Sequence, residues 1–448
     1  MTTEPENSQS YSRSDPNFKN IPKVIPPNTM TFLKDIEQLI IRPSPQEDGV
    51  PTANYNGMTL RSSFQPILNL AHRIIPGHEA LIRIHDSQGF PVSPHELFKQ
   101  ATTIEQIVFL DRLCRALHAA SYEQTQVRDK WLFFNLDPRA IHVGHHYGPF
   151  FKEMLNKYSI PVEQVVIEVL EHEVEDNDYL AEAFEYYRDI GCLIALDDFG
   201  AGHSNFNRVW TIKPDLVKID RSMLVAARNA SHIRRSLSRL VDLLHESGAL
   251  VLLEGVENEA EAIIALDSGV DLVQGFYFYR PDPLPVLQSK SENILSIYEK
   301  FNAHSIRQRL GQHEYMQPFI LYFQSWIKKV QQSDHPAVMQ CSAQLPGAEL
   351  CFVLDEKGFA LACDGSKSFQ SMNLHPHWNP LNQPTIRACW SYRSYYRKAM
   401  ENQGTIQVST PYLSLRTTSF CHTLSCAIYT ASNQLVILCL DVKFNGDY

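Results

Sequence analysis

Between residues 63 and 278 the chain repeats one arrangement, a short apolar run followed by a longer stretch in which apolar residues return at helical spacing. The runs are SFQPILNL, GHEALIRI, KWLFFNLD, QVVIEVLE, CLIALDDFG, DLVKID, ALVLLEGVE and DLVQGFYF. Strands alternating with helices over roughly 200 residues predict an α/β fold, a TIM-like (β/α)8 barrel. One junction breaks the rule. Only AHRIIP separates the first run from the second, whereas a parallel crossover needs about a dozen residues. The first strand is therefore expected to run antiparallel to the second.

The flanks read differently. Residues 1–29 are polar and carry Pro5, Pro16, Pro22, Pro26 and Pro27, the pattern of an extended leader. Met30, Phe32, Leu33, Ile36, Leu39 and Ile40 then recur at helical spacing, and RPSPQEDGVPTANYNG reads as a loop. The expected organisation is a flexible leader with one amphipathic helix over 1–57, the barrel over 58–285, connecting helices over 286–335 and a second domain over 336–448. That second domain is β-rich: ELCFVLDEKGFALACD reads as a hairpin turning at Gly358, CWSYRSYYRKAM as a helix start, and TIQVSTPYLS, TLSCAIYT and QLVILCLDV as closing strands.

Composition narrows the class. With 448 residues the chain exceeds what one core usually serves, so two domains are the first expectation. The net charge of -10 disfavours a nucleic-acid polymer as partner. No apolar stretch approaches the roughly 18 residues that cross a bilayer, and the first residues lack a signal-peptide core. These features point to a cytoplasmic protein without membrane contact. The nine cysteines lack paired spacing and read as buried thiols. His142, His145 and His146 lack a matching ligand partner and read as a solvated loop.

Chemistry enters through the polar residues at the ends of the runs, where barrel active sites form. Glu79 lies in the second run, Asn135 in the third, Glu168 and Glu171 in the fourth, and Asp197 with Asp198 in the fifth. Lys218 and Asp220 belong to the sixth, Glu254 and Glu257 to the seventh, and Gln274 to the eighth. Carboxylates crowded on one rim must take up protons or bind cations. Oxygen donors without Cys or His favour Mg2+ or Mn2+ over zinc. The adjacent acids Asp197 and Asp198 suggest a bent backbone that turns the two side chains apart, each toward a different ion of a close pair.

The motifs EALIR (79–83), FNLDP (134–138), IEVLE (167–171), DDFGAG (197–202), VKID (217–220), EGVE (254–257) and QGFYFYRP (274–281), in this order, resemble the EAL family of cyclic di-GMP phosphodiesterases. The resemblance implies metal-dependent hydrolysis of cyclic di-GMP to the linear dinucleotide pGpG, with two divalent cations, Mg2+ or Mn2+. It implies Glu79, Asn135, Glu168, Asp197 and Asp198 as metal ligands and Lys218, Glu254 and Glu79 as catalytic residues. Lys218 would hold the attacking water and Glu254 would act as general base. Gln65, Leu81, Arg83, Asp220, Glu257 and Gln274 are implied on the substrate side, and Glu171 as the anchor of the DDFGAG loop. Ala201 stands where threonine is commoner, with His203 and Asn205 in place of tyrosine and serine. Ala201 removes a hydroxyl from the loop.

The C-terminal part resembles PAS-like and Cache-like sensory domains, which implies regulation, a homodimer and a small ligand bordered by Trp390, Tyr392, Arg393, Tyr395 and Tyr396. Packing of the same aromatic residues in a core or dimer contact is the competing reading. Two other functions stay open at this level. A cyclic di-GMP receptor would bind without turnover, and an aldolase-like barrel would use Lys218 as a Schiff-base amine. Acidic neighbours that keep Lys218 protonated count against the latter.

Overall fold

Each of the eight apolar runs forms a strand, and the alternation of their side chains builds both walls of a closed barrel. The computed structural model describes residues 32–42, 49–125, 127, 129–137, 140, 150–170, 178–202, 206–283, 292–333, 345–363, 388–414 and 418–444. The His142, His145 and His146 group, Glu171, His203 and Asn205 lie outside these residues. The chain divides into two units, Met1–Phe301 and Asn302–Tyr448.

In chain order the strands of the first unit are β1 (Ile40–Ile41), β2 (Thr52–Tyr55), β3 (Met58–Asn69), β4 (Ile74–His85), β5 (Pro91–Val92), β6 (Trp131–Asn135), β7 (Val165–Leu170), β8 (Leu193–Phe199), β9 (Leu216–Ile219), β10 (Leu250–Leu253) and β11 (Leu272–Val273). The sheet runs β1-β2-β3-β11-β10-β9-β8-β7-β6-β4-β5, and the β3–β4 pairing closes it into an eight-stranded barrel. β3 is antiparallel to its two neighbours in the barrel, β4 and β11, while pairs such as β4–β6 and β9–β10 are parallel. The short AHRIIP link dictates this reversal, because it can join only an antiparallel pair.

Strand periodicity sorts the side chains. Ile67, Phe133, Val166, Ala195, Leu216, Leu252 and Leu272 form one buried layer inside the barrel. Outward-facing neighbours such as Phe134, Ile167, Ile194, Val217, Val251 and Val273 join the larger core shared with the surrounding helices. Gly77 of β4 faces the inner layer without a side chain, since a Cβ there would stand 2.8 Å from Trp131 Cβ.

The expected helix near residue 30 is present as Phe32–Leu39, but the stretch read as a loop after it holds more order than its composition implies. β2 pairs with β3 from Thr52↔Arg61 to Tyr55↔Met58, joined by Asn56 and Gly57 at φ 47° and 78°. Two left-handed residues make the Asn-Gly turn that suits the strand twist. The expected barrel boundary at residue 58 thus falls inside a hairpin, and Ile36, Ile40 and Ala53 are buried in the core shared by the barrel and its surrounding helices.

In the second unit, β12 (Ala348–Asp355), β13 (Ala360–Cys363), β14 (Gln407–Val408), β15 (Tyr412–Leu413), β16 (Phe420–Tyr429) and β17 (Leu435–Lys443) form one sheet in the order β13-β12-β17-β16-β14, with β15 on β16. The hairpin, the helix and the closing strands expected from the sequence are there, except that the run TIQVSTPYLS forms two short strands, β14 and β15, in place of one. Met316, Phe319, Phe323, Trp326 and Val330, one stripe of the helix Glu292–Gln331, cover the face bearing Cys351, Val353, Leu424 and Leu438. Tyr395, Tyr396 and Ala399 of the helix Ser394–Glu401 cover the opposite face, with Phe352, Leu354 and Ile437. The cysteines described are all free thiols, all but Cys389 buried. Among the described residues, no helix is long and apolar enough to cross a membrane.

Candidate active site

Two residues beyond the apolar inner layer, toward the C-terminal ends of the parallel strands, the side chains that share its face change from apolar to polar. Phe133 gives way to Asn135, Val166 to Glu168, Ala195 to Asp197, Leu216 to Lys218, Leu252 to Glu254 and Leu272 to Gln274. On β4 the same step leads from Gly77 to Glu79, and on the reversed strand β3 from Ile67 to Gln65, which lies opposite Glu79. One turn of alternation therefore places eight polar side chains in a single ring.

Lys218 sits in its midst, 1% exposed. Its Nζ is 2.6 Å from Glu168 Oε1, 2.7 Å from Glu254 Oε1, 3.2 Å from Asp197 Oδ1 and 3.7 Å from Glu79 Oε1. Glu79 also accepts from Asn135 Nδ2 at 3.1 Å and from Gln274 Nε2 at 2.8 Å. Apart from its ion pair with Lys218, buried Glu168 finds no hydrogen-bond partner of regular geometry among the described residues.

One ammonium cannot balance this many carboxylates, and the protonation equilibria record the imbalance. Burial, with the charge of Glu79, holds Glu168 well above the ordinary carboxylate range, against the pull of Lys218. Burial, with the charges of Asp197 and Glu79, pushes Glu254 up to about 8, again against Lys218. Burial also pushes Glu79 up, but Lys218 and the amides of Gln274 and Asn135 together outweigh it and leave the group below its usual value. Lys218 moves the other way from what burial favours: the surrounding acids, Asp197 foremost, raise it well above an ordinary lysine.

The adjacent acids of β8 owe their placement to a break in register. Leu196 pairs with Val217 and Phe199 with Ile219, so three steps on β8 match two on β9. Asp198 takes up the extra residue at φ 57°, a left-handed conformation that Asp tolerates better than most side chains. The backbone bends between the two acids as expected, yet their carboxylates do not diverge widely. Asp197, Asp198 and Glu254 each offer an oxygen within 4.8 Å of the others. Gly200 follows at φ 98°, where a Cβ would stand 2.6 Å from Met223 Cγ.

Such a set fits hard divalent cations. It contains only oxygen donors beside the lysine, a buried carboxylate short of hydrogen bonds, and three acidic oxygens already gathered. Ions held among Glu79, Asn135, Glu168, Asp197 and Asp198, with Glu254 close by, would relieve the same repulsion that now drives proton uptake.

Other expected residues stand apart from Lys218. Asp220 caps the helix Arg221–Asn229 by accepting from Ser222 N at 2.9 Å. Exposed Glu257 forms a two-pronged ion pair with Arg221. Arg83 is half-buried on the Glu79 face of β4, donates to Ile82 O at 3.1 Å, and is joined on that face by Leu81. Two supports escaped the reading of motifs. Glu261, fully buried, accepts from Glu257 N at 2.8 Å and from Arg228 Nη1 at 3.0 Å, fixing the EGVE loop. Its clue was the cap Asn258, which accepts from Glu261 N. Gly275 is the other: a Cβ there would run into the Val256 backbone. Gly275→Ala is expected to cost about 1–3 kcal/mol through overpacking and to lower any activity that depends on Glu254, read by urea denaturation and turnover of the purified variant.

Comparison with known proteins agrees with this geometry. YkoW, a signalling protein of Bacillus subtilis, is 27% identical over 229 residues, 49% of this chain and 28% of its own length. The cyclic di-GMP phosphodiesterase PdeA of Borreliella burgdorferi is 26% identical over 228 residues, 49% of this chain and 33% of its own. The chain thus spans about a third or less of these two relatives. The crystal structure of the B. subtilis YkuI protein, which has an EAL domain and was solved with substrate c-di-GMP and calcium, superposes with a TM-score of 0.71 at 22% identity, covering 87% of this chain and 97% of that one. It supports the fold of the chain. The EAL domain family matches residues 53–281, from β2 to just beyond the barrel's last strand and through every strand that contributes to the ring around Lys218. On that match over half of its length, this chain belongs to the EAL-domain family.

Proposed function

We propose that the protein is a metal-dependent cyclic di-GMP phosphodiesterase, which opens one phosphodiester of the cyclic dinucleotide to give linear pGpG. The observation that carries this reading is buried Lys218 held among Glu79, Glu168 and Asp197, from three different strands, and Glu254 just beyond a fourth, with Asp198 beside them.

In this reading Glu79, Asn135, Glu168, Asp197 and Asp198 hold two cations, Mg2+ or Mn2+. Bound there, such ions supply Lewis-acid polarisation of the phosphoryl oxygens and make water more acidic. Lys218 orients the attacking water and offsets charge that develops on the phosphoryl group. Glu254, 2.7 Å from Lys218, is placed to take the proton of that water. Arg83 and Gln65, on adjacent strands along the rim, hold the dinucleotide, Arg83 through a phosphate. Asn135 and Gln274 keep the Glu79 carboxylate oriented, so that little reorganisation accompanies reaction.

The second unit is proposed as a PAS/Cache-like sensory domain that regulates the barrel in a cytoplasmic homodimer. Its antiparallel sheet with a helix on each face, and the free thiols among the described residues, support that assignment. The test of the main reading is incubation of the full chain with cyclic di-GMP and Mg2+ or Mn2+, with a chelator control. Appearance of pGpG only with the cation is expected. Tight binding of cyclic di-GMP without product would replace the enzyme with a receptor.

A further inference from the structure

Arg393 of the second unit is half-buried, and a half-buried guanidinium normally has an acceptor. Arg115, Arg221 and Arg228 pair with Asp111, Glu257 and Glu261. The Arg393 side chain makes no hydrogen bond or ion pair with any described residue, and its Nε is fully buried without a partner. Aromatic rings frame it instead. Cζ lies 5.2 Å from the Tyr392 ring, 5.7 Å from Trp390 and 5.6 Å from Tyr412. These contacts are attractive for a cation, yet leave its N–H fork unused.

The frame is rigid. Trp390 N donates to Gly358 O at 2.8 Å and Arg393 N to Trp390 O at 3.0 Å, which ties the segment to the β12–β13 hairpin. Tyr412 stacks on Tyr395 at 6.0 Å, and its hydroxyl lies 2.8 Å from Thr423 Oγ1 and donates to Asp441 Oδ1 at 3.1 Å. Arg393 is also the N-cap of the helix Ser394–Glu401 and its side chain makes no capping bond. A cation at the positive end of a helix opposes the macrodipole. An anion at this helix end would interact favourably with both charges.

We infer that Arg393, framed by Trp390, Tyr392 and Tyr412, is the head-group receptor for a small carboxylate ligand with an apolar body. The planar fork of the guanidinium matches a carboxylate in two parallel hydrogen bonds. A single charge suits the site better than a phosphate dianion, because buried Asp441 lies just behind Tyr412. The half-exposed rings of Trp390 and Tyr392 offer apolar surface for the body of the ligand. This binding belongs to the second unit and stands or falls independently of hydrolysis in the barrel.

The test is titration of the full-length protein with benzoate, with its neutral counterpart benzamide, and with inorganic phosphate, followed by calorimetry and by tryptophan fluorescence. Saturable binding of benzoate is expected, with benzamide weaker by about tenfold or more. Arg393→Gln should abolish benzoate binding, and Arg393→Lys, which keeps the charge but not the fork, should weaken it by about tenfold. If circular dichroism shows that Arg393→Gln does not fold, Arg393→Lys and the contrast between benzoate and benzamide decide. Equal binding of benzamide, binding of phosphate but not benzoate, no saturable benzoate binding, or unchanged affinity in both variants would each overturn the inference.

Discussion

Lys218→Met is expected to lower hydrolysis of cyclic di-GMP by about 10²–10³-fold or more and to destabilise the metal-free protein by about 3–5 kcal/mol. Both effects come from one geometry. The ammonium is the common partner of Glu79, Glu168, Asp197 and Glu254, and methionine fills the same space without charge. Removing one partner of a buried ion pair leaves the others uncompensated, which costs more than the pair itself contributes. A lower urea midpoint in chelator is expected, with most of the loss recovered on adding Mn2+ while turnover stays low. A variant as stable as the parent in chelator, or one that hydrolyses at the parent rate, would contradict the central place given to Lys218.

The second large effect is on pH dependence. Without divalent cations, the barrel should lose stability as pH rises from 6.5 to 8. Glu254 has its folded value pushed up to about 8 by burial and by Asp197 and Glu79, against an ordinary 4.5. The folded state then holds the proton more tightly than the unfolded one. Its contribution is complete below about 4.5 and is lost as pH rises through about 8. Glu168, also raised, acts with the same sign. His118, pushed down to about 3 by burial, acts with the opposite sign, mainly below its ordinary 6.5 and fading within about one pH unit above it. The limiting slope for one group is about 1.4 kcal/mol per pH unit; Glu254 keeps 20% of its side chain exposed and should fall short of it. Urea midpoints at pH 6.5, 7.2 and 8, with chelator and with Mg2+, measure this. The cation should flatten the slope, and Glu254→Gln should reduce it in chelator. Metal-free stability that is flat or rising over that interval in the parent protein would refute the account.

The ring around Lys218 was legible in the sequence because a strand has period two. Once Val166, Ala195, Leu216 and Leu252 are read as interior, Glu168, Asp197, Lys218 and Glu254 follow on the same face, and barrel topology brings strand ends together. The short AHRIIP link likewise fixed the direction of β3. The hairpin of β2 and β3 was misread although its Asn-Gly turn was in plain view, because proline and acidic residues around it weighed toward loop.

Other features had no local signature. Arg221 meets Glu257 from a different strand–helix unit, and Glu261 reaches Glu257 N only because its helix folds back on the EGVE loop. Arg393 and Tyr412 are distant in sequence and meet through the β16 pairing. The sequence by itself determined which eight strands build the barrel, which face of each turns inward and which polar residues crown that face, since alternation and connection length are local properties. The tertiary structure alone decided the bulge that seats Asp198 beside Asp197, the distances that set four carboxylates on one ammonium, and the aromatic frame around Arg393. Each of these depends on which strands pair and in what register, and no local spacing encodes that.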